Sequence, residues 1–119
     1  MEKFSVTLPL TGEYLTTVRL TTGGLCALAG FDVDTAEDFK VCVTESLLIL
    51  KRNGFCNATI EFVVGETLGC QVCGKDRAGE KEEPLEEEIS RALLSALLGK
   101  VDFVKDTTGE VVEKIVFEG

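Results

Sequence analysis

The sequence predicts an α+β domain, a two-layer sandwich in which a mixed or antiparallel sheet of about five strands carries three helices on one face. The predicted order is strand, helix, helix, strand, strand, helix, strand, strand. Four of the five strands fall into two pairs joined by short turns, as antiparallel hairpins do, and the helical segments carry apolar stripes for one side of a sheet. Size agrees, because 119 residues, 45% hydrophobic and 28% charged, suffice for one core and one domain spanning residues 1–119.

The elements follow in order. Phe4, Val6 and Leu8 alternate with Ser5 and Thr7 as a half-buried strand does, and Pro9 ends the run. From Gly12 to Ala29, Tyr14, Val18, Leu25 and Leu28 recur at helical offsets, although Thr21-Thr22-Gly23-Gly24 lowers propensity in the middle. Gly30 suits the left-handed residue beyond a helix end, and Asp34 with Glu37 three positions on predicts a capped start for the next helix. That helix, about Thr35 to Arg52, carries Phe39, Val43, Leu47 and Leu50 on a stripe facing the sheet. Leu48 and Ile49 fall outside the stripe, so its later half needs more than one neighbour and the helix is central. Asn53-Gly54 ends it.

Ala58, Ile60, Phe62 and Val64 then alternate with Thr59 and Glu61 in the clearest strand of the chain. Gly65-Glu66-Thr67 is a hairpin turn into a shorter strand, Leu68 to Cys73, and the glycine- and charge-rich Gly74 to Glu83 reads as a surface loop. Leu85 to Leu98 is a third helix, with Pro84 before it, Glu86, Glu87 and Glu88 in its first turn and Gly99 after it. Its expected buried stripe is Leu85, Ile89, Ala92, Leu93, Ala96 and Leu97. Val101 to Lys105 and Val111 to Phe117, joined through Asp106-Thr107-Thr108-Gly109, close the chain as a hairpin.

Composition narrows the function. A net charge of −9 and a pI near 4.5 oppose any polyanion and argue against direct nucleic-acid binding. The longest apolar run, Leu47 to Leu50, is far below the roughly 20 residues that span a bilayer, and no signal peptide opens the sequence, so a cytoplasmic protein away from membranes is expected. Five cysteines, an odd number, scattered among apolar neighbours, read as reduced thiols. Cys70 and Cys73 have CxxC spacing, but no histidine and no second CxxC complete a zinc site, and residues three apart in a strand point to opposite faces. Without histidine there is also no imidazole base and no Ser-His pair. The phosphate-cradling glycine motifs are absent as well.

One acidic residue stands out. Glu45 lies mid-way along the central helix, with Ile49 one turn and Asn53 two turns further along the same side. The run from Gly30 to Ser46 (Gly-Phe-Asp-Val-Asp-Thr-Ala-Glu-Asp-Phe-Lys-Val-Cys-Val-Thr-Glu-Ser) resembles the stretch leading into the N-box of bacterial anti-sigma factor serine kinases, of the histidine-kinase-like ATPase superfamily. The likeness takes in the opening strand ending at Leu8-Pro9, the helix carrying Val18-Arg19-Leu20-Thr21, and the final hairpin through Thr107-Thr108-Gly109.

The resemblance implies that superfamily's fold, and a degenerate site within it. In the family an Asn four residues after the N-box Glu holds the magnesium of ATP. Glu45 matches the Glu, but Ile49 stands at the Asn position and offers no oxygen. Where the family has Asp-x-Gly-x-Gly against adenine, this chain has Cys73 to Gly79, with Asp76 and Gly79 as shifted remnants. Where the family has a glycine-rich lid, this chain has Glu80 to Glu88, with six glutamates in nine residues. The implied function is a regulatory protein-binding module without ATP, magnesium or catalytic residues, with Ile49, Asn53, Asp76 and Gly79 lining a vestigial nucleotide site. The implied partners are a sigma factor, an anti-anti-sigma protein or a second copy in a homodimer. One alternative is an active ATP- and magnesium-dependent serine/threonine-protein kinase with Glu45 as base and Asp76 recognising adenine. Another is a structural or dimerisation domain. Read from residues alone, Glu45 is a solvated or locally paired helix residue. The glutamate cluster is a solvated loop and dipole-complementing first turn, or an acidic docking patch for a basic partner.

Overall fold

The computed structural model describes residues 2–80 and 84–119. Its elements are β1 (Glu2–Pro9), α1 (Gly12–Leu28), α2 (Val33–Arg52), β2 (Phe55–Val64), β3 (Leu68–Arg77), α3 (Pro84–Leu98), β4 (Val101–Lys105) and β5 (Val112–Glu118). The five strands form one sheet in the order β1-β2-β3-β5-β4. Every neighbouring pair is antiparallel, so the sheet is wholly antiparallel rather than mixed. This is the expected α+β two-layer sandwich.

Register explains which face is covered. Strand alternation sends every second side chain the same way, and the ladders align two apolar rows: Phe4, Phe62, Cys70, Phe117 and Val101, then Val6, Ile60, Val72, Ile115 and Phe103. Phe62, Ile60, Val72 and Ile115 are fully buried there. The intervening row, Ser5, Glu61, Gln71, Val116 and Asp102, faces the other way and is half-buried or exposed. The helices lie on the apolar side.

α1 buries Val18, Thr22, Leu25 and Cys26, while Tyr14 and Leu28, although at helical offsets, are exposed. Its end is a reciprocal cap in which Phe31 N–H donates to the Cys26 carbonyl (3.0 Å) and Gly30 N–H to that of Ala27 (3.1 Å). Gly30 takes the left-handed conformation there, φ +79°. This turn delivers the chain extended at Asp32, two residues before the predicted cap. Asp32, not Asp34, therefore caps α2, accepting from Thr35 N–H at 2.7 Å. Glu37 pairs instead with Lys40 at 2.7 Å.

α2 is the centre of the helical layer, packed on α1, α3 and strands β2, β3 and β5. Phe39, Val43, Leu47 and Leu50 are buried as expected, and so is Ile49, because α2 has neighbours on several sides. Two expectations fail in the second half of the chain. The segment read as a loop from Gly74 is still strand as far as Arg77, since backbone pairing with Asn57 and Phe55 tolerates charged side chains at an exposed hairpin end. The rest of that segment, including Lys81, Glu82 and Glu83 of the acidic lid, lies partly outside the described residues.

The second failure is the face of α3. Leu85, Ile89 and Leu93 are 66%, 62% and 37% exposed, and Ala92 and Ala96 are exposed with them. Leu97 is half-buried. The face turned inward carries Glu87 and Ser90, 8% and 5% exposed, with fully buried Leu94. The helix is turned by polar partners on α2.

Candidate functional site

The residues singled out by sequence meet, in part, where α2 ends beneath α3. Glu45, half-buried on α2, accepts a hydrogen bond at Oε2 from Ser90 Oγ, 2.8 Å away. Arg52, two turns further along α2, donates through Nη2 to the same Ser90 oxygen. The Arg52 Nε–H is buried without a partner among the described residues. Between Glu45 and Arg52, Ile49 is fully buried in the apolar core with Leu47 and Leu50.

Asn53, the cap of α2, is wholly buried and hydrogen-bonds through both ends of its amide. Its Nδ2 donates to the Ile49 carbonyl (2.8 Å) and to Glu87 Oε1 (2.7 Å), and its Oδ1 accepts from Val112 N–H (3.1 Å). Its backbone carbonyl accepts from Arg77 Nε at 2.7 Å. One side chain thus ties the end of α2 to α3 and to the first residue of β5. Gly54 follows at φ +94°, its carbonyl accepting from Ala78 N–H and Gly79 N–H, both at 3.0 Å. A Cβ on Gly54 would run into the Gly79 carbonyl.

Gly79 is therefore brought to the Asn53-Gly54 corner, as backbone packed against backbone. Asp76 is not; it sits exposed at φ +55° and accepts from Asn57 Nδ2 at 2.8 Å across the β2–β3 hairpin. Sequence reasoning found Glu45 and Asn53 but missed their partners Ser90 and Glu87, and Arg52, which bonds to Ser90. The available signal was that Glu87, Ser90 and Leu94 stand at offsets of three and four, a second possible inward stripe.

These side chains do not make a magnesium–nucleotide site. A magnesium ion needs oxygen ligands in an open octahedron, whereas the position one turn after Glu45 is an aliphatic group sealed in the core. Glu45 is itself engaged by Ser90, and Asn53 is wholly buried with both amide hydrogens donated and its oxygen accepting from Val112 N–H. Three surface hollows lie elsewhere. One of about 600 Å³ opens beside Glu61, Gln71, Lys100, Asp102 and Val116, and none of the three is lined by Glu45, Ile49, Asn53, Asp76 or Gly79.

The cysteines separate by face as strand geometry requires. Cys70 is buried in the row with Phe62 and Phe117, and burial pushes its thiol well above the ordinary value, nearby Cys42 and Cys73 adding to the effect. Cys73 is half-buried on the opposite face, where Gln71 Nε2 donates to its sulfur at 3.6 Å. Among the described residues no three Cys, Asp or Glu side chains gather as a metal site.

No protein-family model matches this sequence. No curated protein matches it significantly either.

Proposed function

We infer that this chain is a protein-binding regulatory domain rather than an enzyme. More particularly, it is a degenerate relative of the anti-sigma serine kinases that works without nucleotide in the cytoplasm. The observation supporting this reading is the α2–α3 junction. The side chain at the family's metal-ligand position is buried hydrocarbon, and the polar groups around it are spent on one another. A scaffold so closed keeps its outer surfaces for partners, which on the resemblance are a sigma factor or an anti-anti-sigma protein. The net charge of −9 favours a basic protein surface over nucleic acid, and no helix among the described residues is long and apolar enough to cross a membrane.

Isothermal titration with ATP and magnesium tests the reading. No saturable heat is expected, and micromolar binding overturns it in favour of the kinase, as does phosphate transfer to a candidate antagonist that Glu45→Gln abolishes. Immobilised chain is expected to retain a sigma factor or an anti-anti-sigma protein from a bacterial lysate. Retention of neither favours a structural or dimerisation domain.

A further inference from the structure

The most amphipathic surface of the molecule points its apolar side at water. Along α3, Leu85, Ile89, Ala92 and Ala96 recur at spacings of four, three and four, with Leu93 beside them, and all five are exposed. This is the seam of a helix that packs against another helix. The opposite face is held inward by Glu87 on Asn53 and Ser90 on Glu45, so the outward seam is fixed rather than incidental. Isolated exposed leucines are ordinary, but a continuous stripe along one helix marks a contact surface.

Charge decides what covers it. Glu86 and Glu88 are exposed on the shoulders of the seam, at the end of α3 where the helix dipole is positive. The nearest cation on the helix, Arg91, is turned to the other side, its guanidinium lying 4.7 Å over the Phe103 ring of β4. A second copy would bring together two bodies of charge −9 each, which repel. Two 15-residue helices side by side, each about 22 Å long, also bury only a few hundred Å², well short of the roughly 1,200 Å² of a lasting interface. An area that small suits a transient partner steered by opposite charge.

We propose that the outer face of α3 is the docking surface for a basic amphipathic helix of a partner protein. Its apolar side lies on Leu85, Ile89 and Leu93, and its Lys or Arg residues face Glu86 and Glu88. This deepens the protein-binding reading and rests on it.

The probe is a fluorescent Leu/Lys peptide patterned as an amphipathic helix of about five turns, followed by anisotropy against the whole chain. Two controls accompany it: a scrambled peptide of the same composition, and a Leu/Glu peptide of the same pattern. The Leu/Lys peptide is expected to bind more tightly than both and to weaken as salt is raised. Ile89→Ser, with an unchanged circular dichroism spectrum, is expected to lower affinity about tenfold, while Leu20→Ser on the exposed side of α1 leaves it unchanged. Equal binding of the scrambled or Leu/Glu peptide, no effect of Ile89→Ser, or an equal loss in Leu20→Ser overturns the proposal. So does a dimer in sedimentation that Ile89→Ser dissociates, since that gives the seam to a second copy. The two readings fail separately. Failure of the peptide beside a blank ATP titration removes the docking surface alone, and ATP binding beside a bound peptide removes the nucleotide-free reading alone.

Discussion

Replacing Asn53 by Ala separates two accounts of the same residue. As a relic of a nucleotide site it is dispensable to the fold; as the buried tie between α2, α3 and β5 it is not. The substitution removes the acceptor of Val112 N–H and the amide donor facing the nearly buried Glu87 carboxylate. The Ile49 carbonyl is better protected, since the Asn53 backbone N–H still donates to it at 3.0 Å. A buried group stripped of its partner costs about 1–3 kcal/mol, more when it is charged. The orphaned Val112 N–H alone puts the loss at about 1–3 kcal/mol, and the donor withdrawn from Glu87 adds to it, a sizeable part of the roughly 5–15 kcal/mol that holds a domain together. Urea unfolding followed by circular dichroism reads this as a fall in midpoint at unchanged slope. Asn53→Asp is the sharper variant, keeping the acceptor for Val112 but setting a second carboxylate against Glu87, and it is expected to lose at least as much. A loss below about 1 kcal/mol in both variants refutes the structural account.

Gly54→Ala forces a side chain into left-handed backbone and onto the Gly79 carbonyl, with an expected cost of about 3 kcal/mol or more. Gly109→Ala, at φ +77° but in open space, is expected to cost about 1 kcal/mol in the same urea unfolding measurement. Ile49→Asn restores the residue type that the resemblance places there, yet it sets an amide in sealed hydrocarbon. It should destabilise by about 3 kcal/mol or more and gain no affinity for magnesium–ATP by titration. Burial pushes the Cys42 thiol up to about 12, with Asp38 and Glu45 adding to it. A raised acid favours the fold while protonated, so this stability is complete below pH 9 and is lost as pH climbs towards 12. Alkaline unfolding in that window should be relieved in Cys42→Ala, and at pH 8 a thiol reagent should modify exposed Cys56 well before buried Cys26, Cys42 and Cys70.

The sheet was legible because a period of two has one physical cause. Phe4, Val6 and Ile60 alternate with polar neighbours, and with Phe62 they lie on the face of the sheet that carries the helices. The central helix was legible for a related reason, since the breadth of its apolar surface from Leu47 to Leu50 required neighbours on several sides. The cap of α2 was misplaced by two residues because the preceding turn, closed by Phe31 on Cys26, fixes where the helix enters, and that bond is invisible to a local pattern. The face of α3 was inverted for a deeper reason. Periodicity ranks faces by hydrocarbon, whereas this helix is oriented by the hydrogen bond that Glu87 accepts from Asn53 and the one that Ser90 donates to Glu45, 34 and 45 positions away.

That inversion links the closed junction to the exposed seam. With Ile49 filling the space beside Glu45 with hydrocarbon, the Glu45 carboxylate, Arg52 Nη2 and the buried Asn53 amide beside it take hydrogen bonds within the protein, because a buried donor or acceptor without one is costly. Ser90 and Glu87 supply them from α3. Meeting that demand commits one face of α3 inward, and a helix has only one opposite face. Leu85, Ile89 and Leu93 are then necessarily outside. The hydrocarbon at position 49 is thus linked to an apolar helix surface facing solvent, and a change that let α3 turn its leucines inward would have to break the Asn53–Glu87 and Ser90–Glu45 hydrogen bonds.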